Sequence, residues 1–319
     1  MKLNEISEII SQSTTIGITF HTSPDGDSIG SALALLISLE KLNKNVYIIC
    51  KEKLPVDFSF LPRSEAIDGT IQAPKEGTEI VIVIDCGNVE RVNADLSNYK
   101  KTIINVDHHI SNDQYGHYNY IDTSAAASAE IIFNLIKDLG APFDSKIASC
   151  IYTSIMTDTG SFKYSNTTSN THLILSELLK YPFDFTLIHR LIYENKDQKY
   201  IKLLGLVYSD MKLVRDSKIC LFSITDRMLK ELNFQLEDSS EIVSSGLMIK
   251  GVEASILFKE KNDGVKISFR SKDKIDVRKI AEYFSGGGHI KASGAFISNV
   301  TIDKATEMVL AVIEENDLC

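Results

Sequence analysis

Apolar residues in the first half of the chain occur in short β-branched runs that alternate with segments of helical period. The runs predict strands at residues 15–20, 45–50, 79–84 and 102–106. Apolar residues at helical spacing predict helices at residues 28–42, 128–139, 145–156 and 168–180, with Ser28 able to cap the first of them. Strands that alternate with helices favour an α/β domain built on a mostly parallel sheet.

The pattern changes beyond residue 180. Residues 181–206 are helical in pattern and rich in charge, which predicts a helical connector that packs on both of its neighbours. Strand-like runs follow at residues 211–214, 218–224, 254–259 and 265–270, mixed with helical stretches, and an amphipathic helix closes the chain at residues 301–316. We therefore expect an N-terminal α/β domain (1–182), a helical linker (183–206) and a smaller α+β domain (207–319).

Composition and charge narrow the class of protein. With 319 residues and 44% hydrophobic content, the chain can bury one large core or two smaller ones, and two are favoured. A net charge of −9 argues against a broad electrostatic footprint on duplex nucleic acid, although bound cations could still attract a polyanionic substrate. The five cysteines share no CxxC spacing, residues 1–12 are typical of an amphipathic helix without the apolar core of a signal peptide, and no apolar run approaches the length of a membrane span. We expect a soluble cytoplasmic protein.

Candidate chemistry begins in the turn after the first predicted strand. This turn carries His21, Asp25 and Asp27 in the sequence His-Thr-Ser-Pro-Asp-Gly-Asp. Open α/β sheets bind ligands at the carboxyl ends of their strands, so three ligand-capable side chains here favour a divalent-metal site. An ordinary Asx-type turn is the alternative.

Three further segments place Asp or His where a strand or helix ends, at Asp85, at Asp107-His108-His109 and at Asp158. Taken singly, each is more often a cap or a surface residue. Together they offer more donors than one ion usually takes from a protein, so two ions that share a bridging carboxylate are the natural reading. Carboxylate and imidazole ligands without thiolate favour Mn²⁺ over a structural zinc. Two ions about 3.5–4 Å apart can clamp an in-line phosphoryl displacement, which indicates metal-assisted phosphoester hydrolysis.

The ordered motifs also resemble those of the DHH phosphoesterase superfamily. These motifs are His21-x-x-x-Asp25-x-Asp27, Asp85, Asp107-His108-His109 and Asp158-Thr-Gly. Near the C-terminus, Gly286-Gly-Gly-His289-x-x-Ala-Ser-Gly294 resembles the signature of a DHHA1 domain. Within the superfamily, the chain is most similar to the NrnA-like group of bifunctional oligoribonucleases and 3′-phosphoadenosine-5′-phosphate (pAp) phosphatases.

The resemblance implies a ligand set. One ion would be held by His21, Asp25 and Asp85, and the other by Asp27, Asp85, His108 and Asp158, with Asp85 bridging. It further implies that Asp107 orients His108, and that His109 meets the substrate phosphate as a donor to the leaving oxygen. The cofactors expected are two divalent ions, Mn²⁺ with Mg²⁺ or Co²⁺ as alternatives.

Candidate phosphate-binding residues lie in the second domain. Arg270 and Ser271 follow a predicted strand, and Gly286, Gly287 and Gly288 precede His289. Glycine lets backbone N–H groups approach a phosphate closely, and arginine supplies the complementary charge. A glycine-rich turn that starts a helix is the alternative, and family members usually carry a fourth glycine where Ser285 stands.

A further phosphate contact is predicted at Arg91, for which a solvated loop arginine is the alternative. By resemblance, the enzyme hydrolyses short single-stranded RNA from a chain end to nucleoside 5′-monophosphates, and pAp to AMP, in a cleft between its domains. A stand-alone cyclic-dinucleotide or linear-dinucleotide phosphodiesterase is the alternative, and a catalytically silent RNA-binding module is another. An inorganic pyrophosphatase fits less well because its C-terminal domain carries a different signature. The expected partners are short RNA, dinucleotides or pAp as substrates, and no membrane association is expected. The sequence does not decide between a monomer and a homodimer.

Overall fold

The computed structural model describes residues 2–236, 239–272 and 274–315. The chain divides into two compact units, Met1–Asn195 and Lys196–Cys319. This division falls inside the predicted linker of residues 183–206.

The first unit is built on a five-stranded parallel sheet. Its strands are β1 (Thr15–Thr19), β2 (Asn45–Ile48), β3 (Ile80–Ile84), β4 (Thr102–Asp107) and β5 (Tyr118–Ile121), in the spatial order β2-β1-β3-β4-β5. The order reverses between β1 and β3, and ligands of doubly wound sheets bind beyond the carboxyl ends of the strands at such a point. Thr19 lies beside Val83, and Ile84 beside Val106, so the three central strands end level with one another.

The described helices of this unit share one apolar cluster with residues of the sheet. They are α1 (Leu3–Gln12), α2 (Gly26–Lys41), α3 (Ser128–Asp138), α4 (Ser145–Asp158), α5 (Ser169–Leu178) and α6 (Phe185–Tyr193). Helix α2 is buried along most of its length and packs against α3 and α4. Its approach to α4 depends on Gly30, because a Cβ there would collide with the Cys150 carbonyl and the Ser154 side chain. This close packing brings residues of α4 to the first turn of α2.

The second unit is built on a six-stranded mixed sheet. Its strands are β6 (Lys212–Val214), β7 (Ile219–Ile224), β8 (Ala254–Lys261), β9 (Gly264–Ser271), β10 (Gly287–His289) and β11 (Ala292–Ser298), in the order β10-β11-β9-β8-β7-β6. Only the pairing of β7 with β8 is parallel among these described strands. The helices are α7 (Gln198–Ser209), α8 (Asp226–Glu231), α9 (Ser240–Ser245), α10 (Val277–Glu282) and α11 (Ile302–Glu315). One apolar cluster includes α10 and α11, and another includes α7 and α9.

The predicted fold class is confirmed, with differences at particular elements. Strands β5, β10 and β11 were not predicted, because glycine, serine and asparagine dilute their apolar pattern. The predicted linker of residues 183–206 contains α6 and most of α7. Ile188 of α6 lies in the core of the first unit, whereas Leu203 of α7 lies in the core of the second. Helix α2 is capped by Asp25 rather than by Ser28, which lies in its first turn and exchanges hydrogen bonds with Asp25.

The predictions for the closing helix and for the cysteines include residues that the structure does not describe. Residue 316, the last of the predicted closing helix, lies outside the described residues, as does Cys319. The other four cysteines are buried free thiols. Across the described ranges, none of the helices combines the length and apolar character that a bilayer crossing requires.

Candidate metal centre

The turn between β1 and α2 carries His21, Asp25 and Asp27. The Asp25 carboxylate caps α2 by accepting a hydrogen bond of 3.0 Å from the Ser28 backbone N–H. The His21 ring donates from Nδ1 to the carbonyl of Thr22 at 2.8 Å, in the tautomer that leaves a lone pair on Nε2. This Nε2 lies 3.5 Å from a carboxylate oxygen of both Asp25 and Asp85. The turn therefore places an imidazole nitrogen against two carboxylates, and this nitrogen can bind a metal ion once it has lost its proton.

Asp27 is buried at the first turn of α2, and its carboxylate is held by donors from two other helices. Oδ2 accepts the backbone N–H of Ser128 at 2.7 Å, and Oδ1 accepts that of Ala129 at 3.2 Å. Both donors belong to the N-terminus of α3, where a negative charge is favourable. Oδ1 also accepts the hydroxyls of Ser31 and Ser154. These donors fix the carboxylate plane and leave room at Oδ2 for one more partner.

Asp85 follows β3 in a left-handed conformation, with φ at +56°, and its side chain is 2% exposed. Such a conformation is uncommon outside glycine, although Asp and Asn tolerate it better than other residues, and it persists where surrounding contacts hold it. Oδ2 faces His21 Nε2 at 3.5 Å, whereas Oδ1 faces His108 Nε2 at 3.6 Å. The two oxygens of one carboxylate thus face two different imidazoles.

His108 follows β4, and its ring is oriented like that of His21. Its Nδ1 lies 3.2 Å from the carbonyl of Ala125, to which it donates when Nε2 carries the lone pair. Nε2 is 3.6–3.7 Å from one oxygen of each of three carboxylates, those of Asp27, Asp85 and Asp158. Asp158 is the last residue of α4. Four separate segments therefore meet at this edge of the sheet.

Crowded carboxylates and burial change the acidities at this edge. Burial and then the charges of Asp85 and Asp158 raise the pKa of Asp27 well above its usual value. Burial raises the pKa of Asp158 to about 6 against the opposing charge of His108, and repulsion from Asp85 adds a smaller increase. Burial would lower the pKa of His21, but the adjacent Asp25 and Asp85 outweigh it and raise this pKa to about 10. The site attracts positive charge.

The spacing and chemistry of these donors fit two divalent ions. Distances of 3.5–3.7 Å are too long for good hydrogen bonds, whereas ligand atoms on one ion at about 2.1 Å lie about 3.0–3.4 Å apart. Two groups of side chains could each hold an ion. The first group is His21, Asp25 and Asp85, and the second is Asp27, His108 and Asp158. The Asp85 carboxylate lies close to the imidazole of each group. A third group, Asp85, Asp107, His108 and His109, overlaps them.

Asp107 orients His109 rather than His108, which corrects the role that the resemblance implied. Asp107 Oδ1 lies 2.7 Å from His109 Nδ1, while it contacts His108 only through the backbone N–H. This hydrogen bond, against the effect of burial, raises the pKa of His109 to about 8. Burial would raise the pKa of Asp107, but the same hydrogen bond lowers it. His109 is 44% exposed, so its ring is oriented at one nitrogen and open to solvent.

Several residues of the centre were not expected from sequence. Ser128 donates its hydroxyl to Asp85 at 3.0 Å in addition to its backbone contact with Asp27. Ser154 donates to Asp27, and Asn112 donates to Asp107 at 2.6 Å. Serine and asparagine are common caps and turn residues, so only the sequence position of Asn112, three residues after His109, could have drawn attention to it.

In the second unit, Arg270 and His289 lie in one cross-strand row. Arg270 of β9 is opposite Ala292 of β11, which is opposite His289 of the edge strand β10. Directly opposed residues of antiparallel strands project from the same face, so these side chains share a face of the sheet. Arg270 extends toward Ser240, with its Nη2 donating to the Ser240 hydroxyl at 3.4 Å. His289 is exposed.

Other predicted phosphate-binding residues differ from expectation. Ser271 is buried, and its hydroxyl donates to the Ile275 carbonyl at 2.7 Å, so this side chain is not available to a ligand. Gly287 and Gly288 belong to strand β10 rather than to a loop or a turn before a helix. A Cβ at Gly286 would collide with the Gly294 carbonyl, so that glycine is needed for close strand approach.

Arg91 lies in the first unit, at the end of a short 3₁₀ helix after β3. Its carbonyl accepts the Thr22 N–H at 2.7 Å, which brings this segment beside the turn that carries His21. The side chain is exposed.

A parallel α/β sheet that gathers buried carboxylates and imidazoles at its switch point defines a class, the metal-dependent hydrolases of phosphate esters. Comparison with known proteins gives the family. The DHH family, N-terminal domain model matches residues 15–155, and the DHHA1 domain model matches residues 219–315. The chain belongs to the DHH family of phosphoesterases and carries a C-terminal DHHA1 domain, as its motifs predicted.

Curated relatives and a solved structure match nearly the whole chain. A Thermus thermophilus protein named "Bifunctional oligoribonuclease and PAP phosphatase NrnA" is 31% identical over 301 residues, which cover 94% of this chain and 89% of that protein. A Bacillus subtilis protein of the same name is 30% identical over 298 residues, 92% of each. The crystal structure of an exopolyphosphatase-related protein from Bacteroides fragilis is similar at a TM-score of 0.89 and 28% identity, covering 98% of this chain and 95% of that one.

Proposed function

We propose that this chain is a two-metal phosphoesterase that releases nucleoside 5′-monophosphates from an end of short oligoribonucleotides and converts pAp to AMP. The observation that carries the proposal is the orientation of Asp85, whose two oxygens face two imidazoles at 3.5 and 3.6 Å. The names of the Thermus thermophilus and Bacillus subtilis relatives support the choice of substrates.

The two proposed reactions break the same bond. In an oligoribonucleotide cleaved to 5′-monophosphates, the bond that breaks joins phosphorus to the 3′ oxygen of a nucleoside. In pAp the bond that breaks also joins phosphorus to a 3′ oxygen. In each case water adds its hydroxyl to phosphorus, and the 3′ oxygen leaves and takes up a proton. One arrangement of groups around the phosphate can therefore serve both substrates.

We propose the following division of the ligands. One ion is held by His21, Asp25 and Asp85, and the other by Asp27, His108 and Asp158 together with Asp85. The absence of thiolate from this set favours Mn²⁺, with Mg²⁺ or Co²⁺ as alternatives. When bound, the two ions supply Lewis-acid activation of water and neutralise charge on the phosphate. The hydrogen bonds to Asp27 and Asp85 keep these carboxylates oriented for that task.

His109 and the second unit complete the proposed machinery. His109, held at Nδ1 by Asp107, donates a proton from its other nitrogen to the leaving 3′ oxygen. Arg91, Arg270, His289 and the backbone of Gly286, Gly287 and Gly288 bind substrate phosphates, whereas Ser271 is withdrawn from this set. We also propose a cytoplasmic location, since a reducing compartment suits four buried free thiols.

A substrate panel tests the proposal. The purified chain is incubated with pAp, a linear RNA dinucleotide, a cyclic dinucleotide and RNA of increasing length, each with Mn²⁺, with Mg²⁺ and with a chelator. We expect metal-dependent release of 5′-monophosphates from the dinucleotide and of AMP from pAp. If the cyclic dinucleotide is turned over faster than both pAp and the linear dinucleotide, the choice of substrates is wrong. Binding of RNA without any hydrolysis would overturn the catalytic proposal itself.

A further inference from the structure

A largely buried polar chain connects the Asp107 carboxylate to the carbonyl of Cys86, the residue after Asp85. Asn112 Nδ2 donates to Asp107 Oδ2 at 2.6 Å and to Asn105 Oδ1 at 2.8 Å. Asn105, which is fully buried, lies with its Nδ2 3.2 Å from the Cys86 carbonyl. The Tyr115 hydroxyl donates to the same carbonyl at 3.0 Å. These residues connect the ends of β3 and β4, where Asp85 and Asp107 lie.

The orientation of the Asn112 amide follows from its partners. Its Oδ1 accepts the Gln114 backbone N–H at 2.7 Å, so its two N–H groups must face the other way. On that side the two shortest contacts are both acceptors, an oxygen of Asp107 and an oxygen of Asn105. A flipped amide would set an oxygen against the Asp107 carboxylate and an NH₂ against an N–H. The amide therefore has one orientation that satisfies every partner.

Asn112 and His109 hold opposite oxygens of the same carboxylate. Asp107 Oδ2 accepts from Asn112, and Oδ1 accepts from His109 Nδ1 at 2.7 Å. Asp107 is fully buried, so water cannot replace a lost partner at low cost. Without the amide donor, the carboxylate loses the contact that holds its plane toward the His109 ring.

We propose that Asn112 is a positioning residue, which holds the Asp107 carboxylate so that His109 is aimed at the leaving oxygen. The inference rests on the proposed function for the task it gives to His109. Asn112 lies beside that chemistry without touching substrate, and its effect on turnover passes through His109.

Two esters separate this role from a merely structural one. Asn112→Ala is assayed with Mn²⁺ on the linear RNA dinucleotide pApA, whose 3′ oxygen needs a proton to leave, and on the p-nitrophenyl ester of thymidine 5′-monophosphate, whose phenolate leaves without one. On pApA we expect kcat to fall about 10- to 100-fold with KM and bound metal unchanged. On the nitrophenyl ester we expect a loss below about threefold.

A double-mutant cycle supplies the second readout. If Asn112 acts through His109, then Asn112→Ala should lower kcat on pApA little further in a chain that already carries His109→Ala. Asn112→Asp keeps the side-chain shape but replaces the donor by an acceptor, and it carries the test if the alanine variant fails to fold. Asn134→Asp adds the same charge at an exposed position of α3 and should keep wild-type kcat.

Equal losses on both esters, or additive losses in the cycle, would overturn the inference and leave Asn112 a structural residue. Failure of the proposed function has a different signature. If the wild-type chain cleaves the nitrophenyl ester but neither pApA nor pAp, the proposed substrates are wrong, and the cycle is judged on a cyclic dinucleotide, which also loses an alkoxide. A chain that hydrolyses none of these esters with metal overturns both.

Discussion

The metal centre of the first unit and the Arg270–His289 row of the second differ in how they are built. The centre draws side chains from four segments, and Asp27, Asp85 and Asp107 are buried with hydrogen-bond donors on each carboxylate. The row lies across three neighbouring strands and ends on an exposed edge strand of three residues. One site is held by many elements, and the other by the register of one sheet.

The difference matches the tasks that we propose for the two sites. Metal ligands must be oriented closely before the ions bind, so their carboxylates are fixed by backbone N–H groups and hydroxyls. A phosphate contact depends mainly on charge and one or two hydrogen bonds, and it tolerates more movement. We therefore expect changes in the centre to abolish turnover, and changes in the row to weaken substrate binding. The predictions below test this contrast.

The largest effect is expected for Asp85→Asn. Asparagine tolerates the left-handed backbone at this position and can still accept the hydroxyl of Ser128, so the fold should survive. The loss of a charged oxygen that faces both ligand groups should lower kcat by about ten-thousand-fold or more and reduce bound Mn²⁺. Metal content by elemental analysis and kcat on pApA are the measurements.

Melting of the metal-free protein provides the control. Asp85→Asn removes a charge that repels Asp27 and Asp158 but also attracts His21, so its melting temperature without metal should stay close to that of the wild type. Near-normal turnover with two bound ions would remove Asp85 from the bridging position.

The next effect concerns His109→Ala. Because His109 is proposed to donate to the leaving oxygen and not to hold an ion in either principal ligand group, kcat on pApA should fall roughly 100- to 1,000-fold with KM and bound metal nearly unchanged. Steady-state kinetics with metal analysis measures this. A loss of metal from this variant would instead assign His109 to the third ligand group with Asp85, Asp107 and His108.

A smaller effect, on binding, is expected for Arg270→Ala. Removal of a charge-assisted phosphate contact worth about 1.5–3 kcal/mol should raise KM for RNA roughly 10- to 100-fold with bound metal unchanged. Arg227→Ala removes an exposed arginine from α8 of the same unit and should leave KM unchanged. Since pAp is smaller than an oligonucleotide, its KM should rise less, and an equal rise on both substrates would contradict a role of Arg270 in holding RNA.

The two sites also differ in how far sequence could predict them. His21, Asp85 and His108 follow β-branched runs, and strand ends in a parallel sheet meet at one edge, so pattern and topology together brought these residues into one site. The hydrogen bond from His109 to Asp107 depends on ring orientation, which no spacing of residues reveals. The sequence also gives no sign that Ser128 donates to Asp27, because the two residues are 101 positions apart.

In the second unit the missing information was strand pairing. Strand β10 has no alternating apolar residues, because two of its three residues are Gly287 and Gly288. It is therefore recognisable only from its pairing with β11. Ser271 follows Arg270 on β9, and alternation of side chains along a strand directs the two to opposite faces. The sequence alone assigned a phosphate-binding role to both residues and could not show that only Arg270 is on the face of the sheet that carries His289.

The smallest effects separate two reasons for glycine in β10. A Cβ at Gly287 would meet nothing within 4 Å, whereas Gly288 has a φ of +134° and a Cβ there would approach the Ala292 carbonyl at 2.7 Å. Gly288→Ala should therefore destabilise the protein by about 1–3 kcal/mol, measured by denaturant unfolding. Gly287→Ala should unfold like the wild type but raise KM for RNA roughly three- to tenfold, because its methyl group hinders approach of a phosphate to the backbone N–H groups. If KM is unchanged in Gly287→Ala, the glycines serve strand pairing, and phosphate binding in this unit reduces to Arg270 and His289.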